Sequence, residues 1–241
     1  MTNGLSVVVP TYNEAKNLPI LAQRLFGLNI PGCILIVVDD NSPDGTGLVA
    51  KKLGDQFPGQ VELIERKGKQ GLGTAYIEGL KLALETNSTY IVHMDADLSH
   101  APEYIPGFLK DLLEADVVVG SRYIEAGGSE EEWGIQRRIL SLLGNFGIRL
   151  ITGIRIKDVT SGFKGFRREV LESIDIGSFR CKGFAFLPEE TYACQQHGFK
   201  VVEHPIVFAQ RANGESKLSP SIIIEAMWKL LPLRFMKRNL P

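Results

Sequence analysis

The chain has 241 residues, enough for one large domain or two small ones with a full buried core. Hydrophobic residues make up 44% and charged residues 23%, the values of an ordinary soluble globular protein. A net charge of −1 gives no reason to expect nucleic acid as the main partner. Three cysteines, Cys33, Cys181 and Cys194, form no CxxC pattern and leave an odd count, which fits free thiols in a reducing compartment. No basic segment followed by an apolar one opens the sequence, and no stretch reaches the roughly 18 apolar residues that span a bilayer. The expected location is therefore cytoplasmic, at most peripheral on a membrane surface.

Strand and helix patterns alternate through the first half. Residues 5–10 form a β-branched run that predicts a buried strand. Residues 17–26 place Leu18, Leu21, Leu25 and Phe26 at helical spacing. A second strand is predicted at 34–38, and Asp44-Gly45-Thr46 opens a helix that ends near Phe57-Pro58-Gly59, with Asp44 as its cap. A strand at 61–64, a helix at 74–85, a strand at 90–94, a helix at 102–113 and a strand at 116–120 complete a five-strand set. Strands alternating with helices of this length imply a parallel α/β sheet. Residues 126–132 are polar and Gly-containing and read as a mobile loop. A long helix follows at 137–151, with Ile139, Leu140, Leu143, Phe146 and Leu150 apolar. Then come Thr160-Ser161-Gly162-Phe163, a helix at 191–197, a strand at 201–208 and a final helix from 220 onward. No linker demands a second folding unit.

In parallel α/β sheets ligands bind beyond the carboxyl ends of the strands. Tyr12 and Glu14 follow the first strand, Asp39 and Asp40 the second, residues 67–73 the third, Asp95 and Asp97 the fourth, and Ser121-Arg122-Tyr123 the fifth. An Asp-x-Asp pair at such an edge suits a hard divalent cation that neutralises a departing nucleoside diphosphate. Asp40 is placed to accept hydrogen bonds from a base or ribose. Gly68 to Gly73 lacks the Lys-Ser/Thr ending of a phosphate-binding P-loop and fits a helix-opening turn as well as a ligand loop. The second half supplies cations: Arg122, Arg137, Arg138, Lys164, Arg211 and Lys217. Arg211 and Lys217 flank a Gly turn suited to closing over a diphosphate. His93, His197 and His204 read as packing or surface residues, and His100 adjoins the Asp pair without metal-ligand spacing. Glu189 and Glu190 are adjacent and so diverge by about 100° on a helix, poor geometry for paired acid–base work.

Taken together, PTYNE, VVDDNSPDGT, GLGTAY, MDADLSH, GSRY, Trp133-x-x-x-Arg137, TSGFK and GESK resemble, in content and order, the dolichyl- or polyprenyl-phosphate mannose synthases of glycosyltransferase family 2. The resemblance runs from Val7 to about Leu218. It implies a single GT-A domain, a Rossmann-like, mostly parallel sheet flanked by helices, over 1–218, with an amphipathic helix and basic tail at 219–241. It implies metal-dependent, inverting transfer of mannose from GDP-mannose to a polyprenyl phosphate. Pro10, Tyr12, Glu14, Val38 and Asp40 would contact the nucleoside. Asp95, Ala96 and Asp97 would meet the donor diphosphate, and Asp95, Asp97 and Ser99 would hold Mg2+ or Mn2+. Arg122, Arg137, Arg211 and Lys217 would bind the donor and acceptor phosphates, with Asp97, Arg122 and Arg137 the catalytic set. Residues 160–164 would lie near the lipid phosphate.

The same chemistry accounts for the lack of an evident general base. A phosphate monoester has its second pKa near about 6 and is largely a dianion at neutral pH. It can attack an anomeric carbon unaided, so the site must orient and neutralise.

Two positions depart from the family pattern. Leu187-Pro188 replaces a Gln-x pair, and the proline is expected to delay the helix start. Leu142 stands where an arginine or lysine is usual. Both bear on acceptor contacts and sugar choice, so a UDP-glucose-like donor is the alternative, and a non-catalytic nucleotide-sugar binder a further one. The last helix, with Ile222, Ile223, Ile224, Met227, Leu230 and Leu231 before Arg234, Lys237 and Arg238, fits either a bilayer surface or the core. A lipid acceptor requires membrane contact through this helix or through a separate anchoring protein.

Overall fold

A computed structural model describes residues 4–129, 135–209 and 226–234, without the side chains of 129, 135–138, 233 and 234. The first half follows the predicted alternation: β1 (Gly4–Thr11), α1 (Leu18–Gly27), β2 (Cys33–Asp39), α2 (Thr46–Gln56), β3 (Val61–Glu65), α3 (Leu72–Glu85), β4 (Ser88–His93), α4 (Ile105–Asp111) and β5 (Val117–Ser121). The second half adds β6 (Gly128–Ser129), α5 (Ile135–Thr152), β7 (Lys164–Arg167), α6 (Arg168–Ser173), α7 (Phe186–Gln196), β8 (Val201–Pro205) and β9 (Val207–Phe208).

The sheet has seven strands, the five expected in the first half, β8 from the expected 201–208 segment, and the unexpected β7, in the order β3-β2-β1-β4-β7-β5-β8. Only β7 runs antiparallel to its neighbours. The expected strand at 201–208 breaks at Ile206 into β8, which joins the sheet, and β9, which pairs with β6. Of the loop expected at 126–132, Ala126 and Gly127 are turn and irregular backbone, 128–129 are strand, and 130–132 lie outside the described residues, as does most of the helix expected from 220.

Strand side chains are buried on both faces, which is why β1 and β2 read as continuous apolar runs. Leu5, Val7 and Val9 of β1 pack with Leu18, Leu21 and Leu25 of α1, while Val8 faces Ala75, Tyr76 and Leu80 of α3. The α3 contact is close. A Cβ at Gly79 would fall 2.3 Å from Val8 Cγ1.

Two features position the ligand edge. The chain order reverses between β1 and β4, which opens a crevice beyond their carboxyl ends. And β7, inserted antiparallel between β4 and β5, brings its amino end to that edge: Lys164 registers with both His93 and Val119. The 160–163 loop therefore arrives beside Asp95. No helix among the described residues is long and apolar enough to cross a membrane.

Candidate active site

The loops after β1 and β2 are fastened to each other. Thr11 Oγ1 donates to Asp39 Oδ1 (3.0 Å), and the Ser42 hydroxyl donates to the same oxygen (2.6 Å). The amide of Asn13 donates to Ser42 Oγ and that of Glu14 to Thr46 Oγ1. The cap of α2 is Gly45, not Asp44 as expected; Asp44, one residue earlier, accepts the amides of Thr46 and Ala15 and so ties the helix opening to the first loop. Burial pushes its pKa up, but these bonds outweigh that and hold it below the ordinary value. Asp39 is consumed by the turn. Glu14 accepts from the Asn17 side chain at 2.7 Å, at the start of α1.

Asp40 points elsewhere. Its Oδ1 receives Arg66 Nη1 at 2.5 Å, and Arg66 also donates to Thr74 Oγ1 and lies 3.2 Å from Glu78. Among the described residues Asp40 Oδ2 accepts no hydrogen bond, which leaves one oxygen for a ligand. Burial raises the Asp40 pKa, opposed by Arg66. Lys69 Nζ sits 3.4 Å over the Tyr12 ring, so the 67–73 segment does join this pocket. Pro10 lies beside it, half-buried. The Val38 side chain is fully buried against α3, so the nucleoside contact expected of it falls to its main-chain atoms. Arg66 went unrecognised in the sequence, although it directly follows β3 at the ligand edge.

Asp95 is the more open of the Asp-x-Asp pair, its side chain 31% exposed. Tyr76, on α3, donates its hydroxyl to Asp95 Oδ1 at 3.0 Å. Burial above all, and Asp95 next, raise the Tyr76 pKa, so the phenol keeps its proton. The Asp95 amide donates to His100 Nδ1 (3.1 Å), which makes Nδ1 the unprotonated ring nitrogen. Burial lowers the His100 pKa against the pull of Asp95 and Asp97. Asp97 is buried and accepts the amide and hydroxyl of Ser99, the latter at 2.5 Å. Ser99, expected as a metal ligand, spends its proton fixing Asp97. Ala96 is buried too, so only its main chain can face a diphosphate. Leu98 between them has φ 65°, a strained conformation for a branched residue, of the kind that collects at functional turns.

Behind Asp95 lies a dry charged cluster. The His93 Nδ1–H donates to the Gly162 carbonyl (2.9 Å), and its Nε2 lies 3.0 Å from Glu190. Lys164 Nζ donates to the Leu187 carbonyl (2.5 Å) and to Glu190 Oε2 (3.0 Å). Lys164 is therefore corrected. It is fully buried and ion-paired, not a cation for a lipid phosphate, because β7 turns its side chain into the sheet's covered face. Gly162 presses on the carboxylate itself: a Cβ there would lie 3.2 Å from Asp95 Oδ1. Glu189 accepts the amides of Arg180 and Cys181, a structural role. The helix expected at 191–197 starts at Phe186, with Pro188 in its first turn, where a missing N–H costs nothing.

Arg122 forms a two-pronged pair with buried Asp158 (2.7 and 2.8 Å) and reaches Thr160. Burial would lower its pKa, but Asp158 raises it further. Thr160 also receives Asn145 of α5, and Tyr123 meets Ser141 at 2.6 Å. The side chain of Arg137 and all of Arg211 and Lys217 lie outside the described residues.

Two carboxylates and no third fit one class of cation site. Among the described residues no group of three His, Cys, Asp or Glu side chains can hold a metal alone. Mg2+ and Mn2+ accept one or two carboxylates when substrate phosphates complete the shell. Asp95 and Asp97 meet that requirement.

Residues 6–175 match the family described as glycosyl transferase family 2. The chain is 42% identical over 231 residues to the polyprenol monophosphomannose synthase of Mycolicibacterium smegmatis, covering 95% of this chain and 86% of that protein. It is 39% identical to the undecaprenyl-phosphate mannosyltransferase of Micrococcus luteus, covering 91% and 89%. Among solved structures it resembles glucosyl-3-phosphoglycerate synthase from Mycobacterium tuberculosis in complex with Mn2+, UDP and phosphoglyceric acid. There the TM-score is 0.67 at 19% identity, over 99% of this chain and 80% of that one. The same enzyme with Mg2+ and UDP gives a TM-score of 0.66. The chain belongs to glycosyltransferase family 2 and is a glycosyltransferase with the GT-A fold.

Proposed function

We propose that this enzyme transfers mannose from GDP-mannose to a polyprenyl phosphate at the cytoplasmic face of a membrane, with inversion at the sugar. The observation that carries the reading is the 42% identity, over nearly the whole chain, to a polyprenol monophosphomannose synthase.

The site's economy of carboxylates supports it. Asp158 is taken by Arg122, Glu190 by Lys164 and His93, and Glu189 by backbone amides. Asp39 is taken by Thr11 and Ser42. An acceptor hydroxyl would need one of them as a base. A phosphate dianion needs none. One of its oxygens attacks the anomeric carbon as the bond from that carbon to the nucleoside diphosphate breaks on the opposite face. Asp40 and Tyr12 would hold the nucleoside, and Tyr76 and His100 fix the main chain and carboxylate of Asp95. Asp95 and Asp97 would hold Mg2+ or Mn2+, which neutralises the leaving diphosphate when bound.

The test is transfer from labelled GDP-mannose to a short polyprenyl phosphate with Mg2+ or Mn2+, beside a panel of UDP-sugars. Asp97→Ala should reduce transfer by at least about a hundredfold. Product only from a UDP-sugar would overturn the donor assignment. A product that keeps the donor's anomeric configuration would overturn the in-line step.

A further inference from the structure

Strand pairing stops just short of the Asp-x-Asp pair, and a side chain takes over. β4 and β7 pair from Tyr90 with Arg167 to His93 with Lys164. Continued by two residues, that antiparallel register sets Asp95 opposite Gly162. The main chain does not make this rung. The Asp95 amide goes to His100, and the Gly162 carbonyl accepts from His93 Nδ1 at 2.9 Å. The other ring nitrogen, Nε2, lies 3.0 Å from Glu190 Oε2, the oxygen that also receives Lys164 Nζ. The ring thus has an anchor on α7 and a grip on the loop across from Asp95. Its faces are used as well: Tyr76 packs on it at 4.4 Å between centroids, and Phe166 at 5.5 Å. Two groups that bear on Asp95 Oδ1 therefore rest on His93. One is the Tyr76 hydroxyl, 3.0 Å away; the other is Gly162, where an added Cβ would stand 3.2 Å off. His93, Lys164, Glu190 and Tyr76 are all fully buried, so bulk solvent does not compete for these bonds.

We propose that His93 is a positioning residue for the cation site, a clamp that sets the Asp95 carboxylate through the Gly162 carbonyl and the Tyr76 ring. It lies behind Asp95 and meets neither substrate nor the reacting atoms. A histidine that merely filled the core would not need partners that converge on one carboxylate oxygen. The buried Lys164 gains a purpose in the same arrangement: it fixes Glu190, and Glu190 fixes the ring. A carboxylate that shares a Mg2+ or Mn2+ ion with substrate phosphates has to be held in one orientation. Groups behind such carboxylates change metal affinity or activity by about 10–100-fold when they are removed. The inference rests on the reading of Asp95 and Asp97 as cation ligands.

The test compares wild type, His93→Phe, Gly162→Ala and the double variant. His93→Phe keeps an aromatic ring against Tyr76 and loses both hydrogen bonds, while Lys164 still neutralises Glu190. Affinity for GDP and for UDP is measured by calorimetry in EDTA. Mn2+ affinity is measured by electron paramagnetic resonance with the same nucleotide present. His93→Phe should weaken Mn2+ binding about tenfold or more. Nucleotide affinity in EDTA should stay within about twofold, because Tyr12 and Asp40 rest on other contacts. His93→Gln keeps a donor for Gly162 and should fall between the two; it carries the same comparison if His93→Phe does not fold. Since His93 acts through Gly162, the double variant should bind Mn2+ within about threefold of the weaker single variant, where independent losses would multiply. Wild-type Mn2+ affinity in a folded His93→Phe overturns the inference. So do losses that multiply in the double variant, or equal losses of Mn2+ and of nucleotide in EDTA, which mark general damage to the packing. Wild type that binds no Mn2+ with either nucleotide sinks the cation reading and the clamp together. Mn2+ binding with UDP alone, weakened in His93→Phe, upholds the clamp and sinks only the GDP reading.

Discussion

Lys164 and Glu190 form an ion pair at 3.0 Å with no exposed surface on either side chain. Burial alone would raise the Glu190 pKa, but Lys164 and then His93 outweigh it and hold the carboxyl below its ordinary 4.5. Breaking such a pair leaves an uncompensated buried charge. Glu190→Ala should cost about 3–5 kcal/mol of stability. Because the folded-state pKa is the lower one, the pair's contribution is complete above pH 4.5 and is lost as pH falls through the folded value. Urea unfolding of Glu190→Gln and wild type from neutral pH downward checks this. Variants as stable as wild type at pH 7 would show that the cluster contributes nothing.

The sequence disclosed the parts of the fold that repeat locally and hid those that depend on distant pairing. β1 to β5 announce themselves because buried parallel strands are continuous apolar runs between helical periods. β7 did not, since Lys164-Gly165-Phe166-Arg167 has neither run nor alternation. It is a strand only because β4 and β5 leave a slot between them. Missing β7 also misplaced Lys164, whose type suggested phosphate and whose register buries it. α5 was legible as a helix from its period, but period does not say which face looks inward. Tyr76, His93 and Arg66 act through partners 19, 97 and 26 residues away. Nothing local marks such pairings.

Arg66 should govern donor affinity without touching the reacting atoms. Its guanidinium neutralises Asp40 through Oδ1, and among the described residues Oδ2 accepts no hydrogen bond. In Arg66→Ala the burial that already raises the Asp40 pKa goes unopposed, so the carboxyl protonates at higher pH. Donor KM should rise about tenfold or more, with a smaller change in kcat, and the acid limb of donor binding should move to higher pH. Arg66→Lys should recover only part of this, since an ammonium cannot span Asp40, Thr74 and Glu78 together. Equal losses in kcat and kcat/KM would place Arg66 in the chemical step instead.

The three cysteines should be silent toward thiol reagents in the native state. All are buried, and burial pushes the Cys33 thiol up to about 12 and that of Cys194 higher still. Reactivity requires a thiolate with access to solvent. Titration with a chromogenic disulfide at pH 8 should release almost no thiolate until denaturant is added, then three equivalents. Rapid reaction of one cysteine in the folded protein would contradict the packing around it.

Gly162 should separate activity from stability. Its φ lies outside the left-handed region, so the backbone accepts alanine. The added methyl would lie 3.2 Å from Asp95 Oδ1 and 3.4 Å from the Tyr76 hydroxyl. The partly exposed Asp95 carboxylate is the group able to yield, since Tyr76 is locked between His93 and Phe186. Gly162→Ala should therefore cost no more than about 1 kcal/mol of stability, the centre of the range for single substitutions. Transfer should fall about tenfold or more, because sub-ångström displacement of a positioned group is costly in catalysis. Raised Mg2+ or Mn2+ should recover part of the rate if the loss is one of cation affinity. A variant with wild-type transfer would show that Asp95 does not need the position in which this loop holds it.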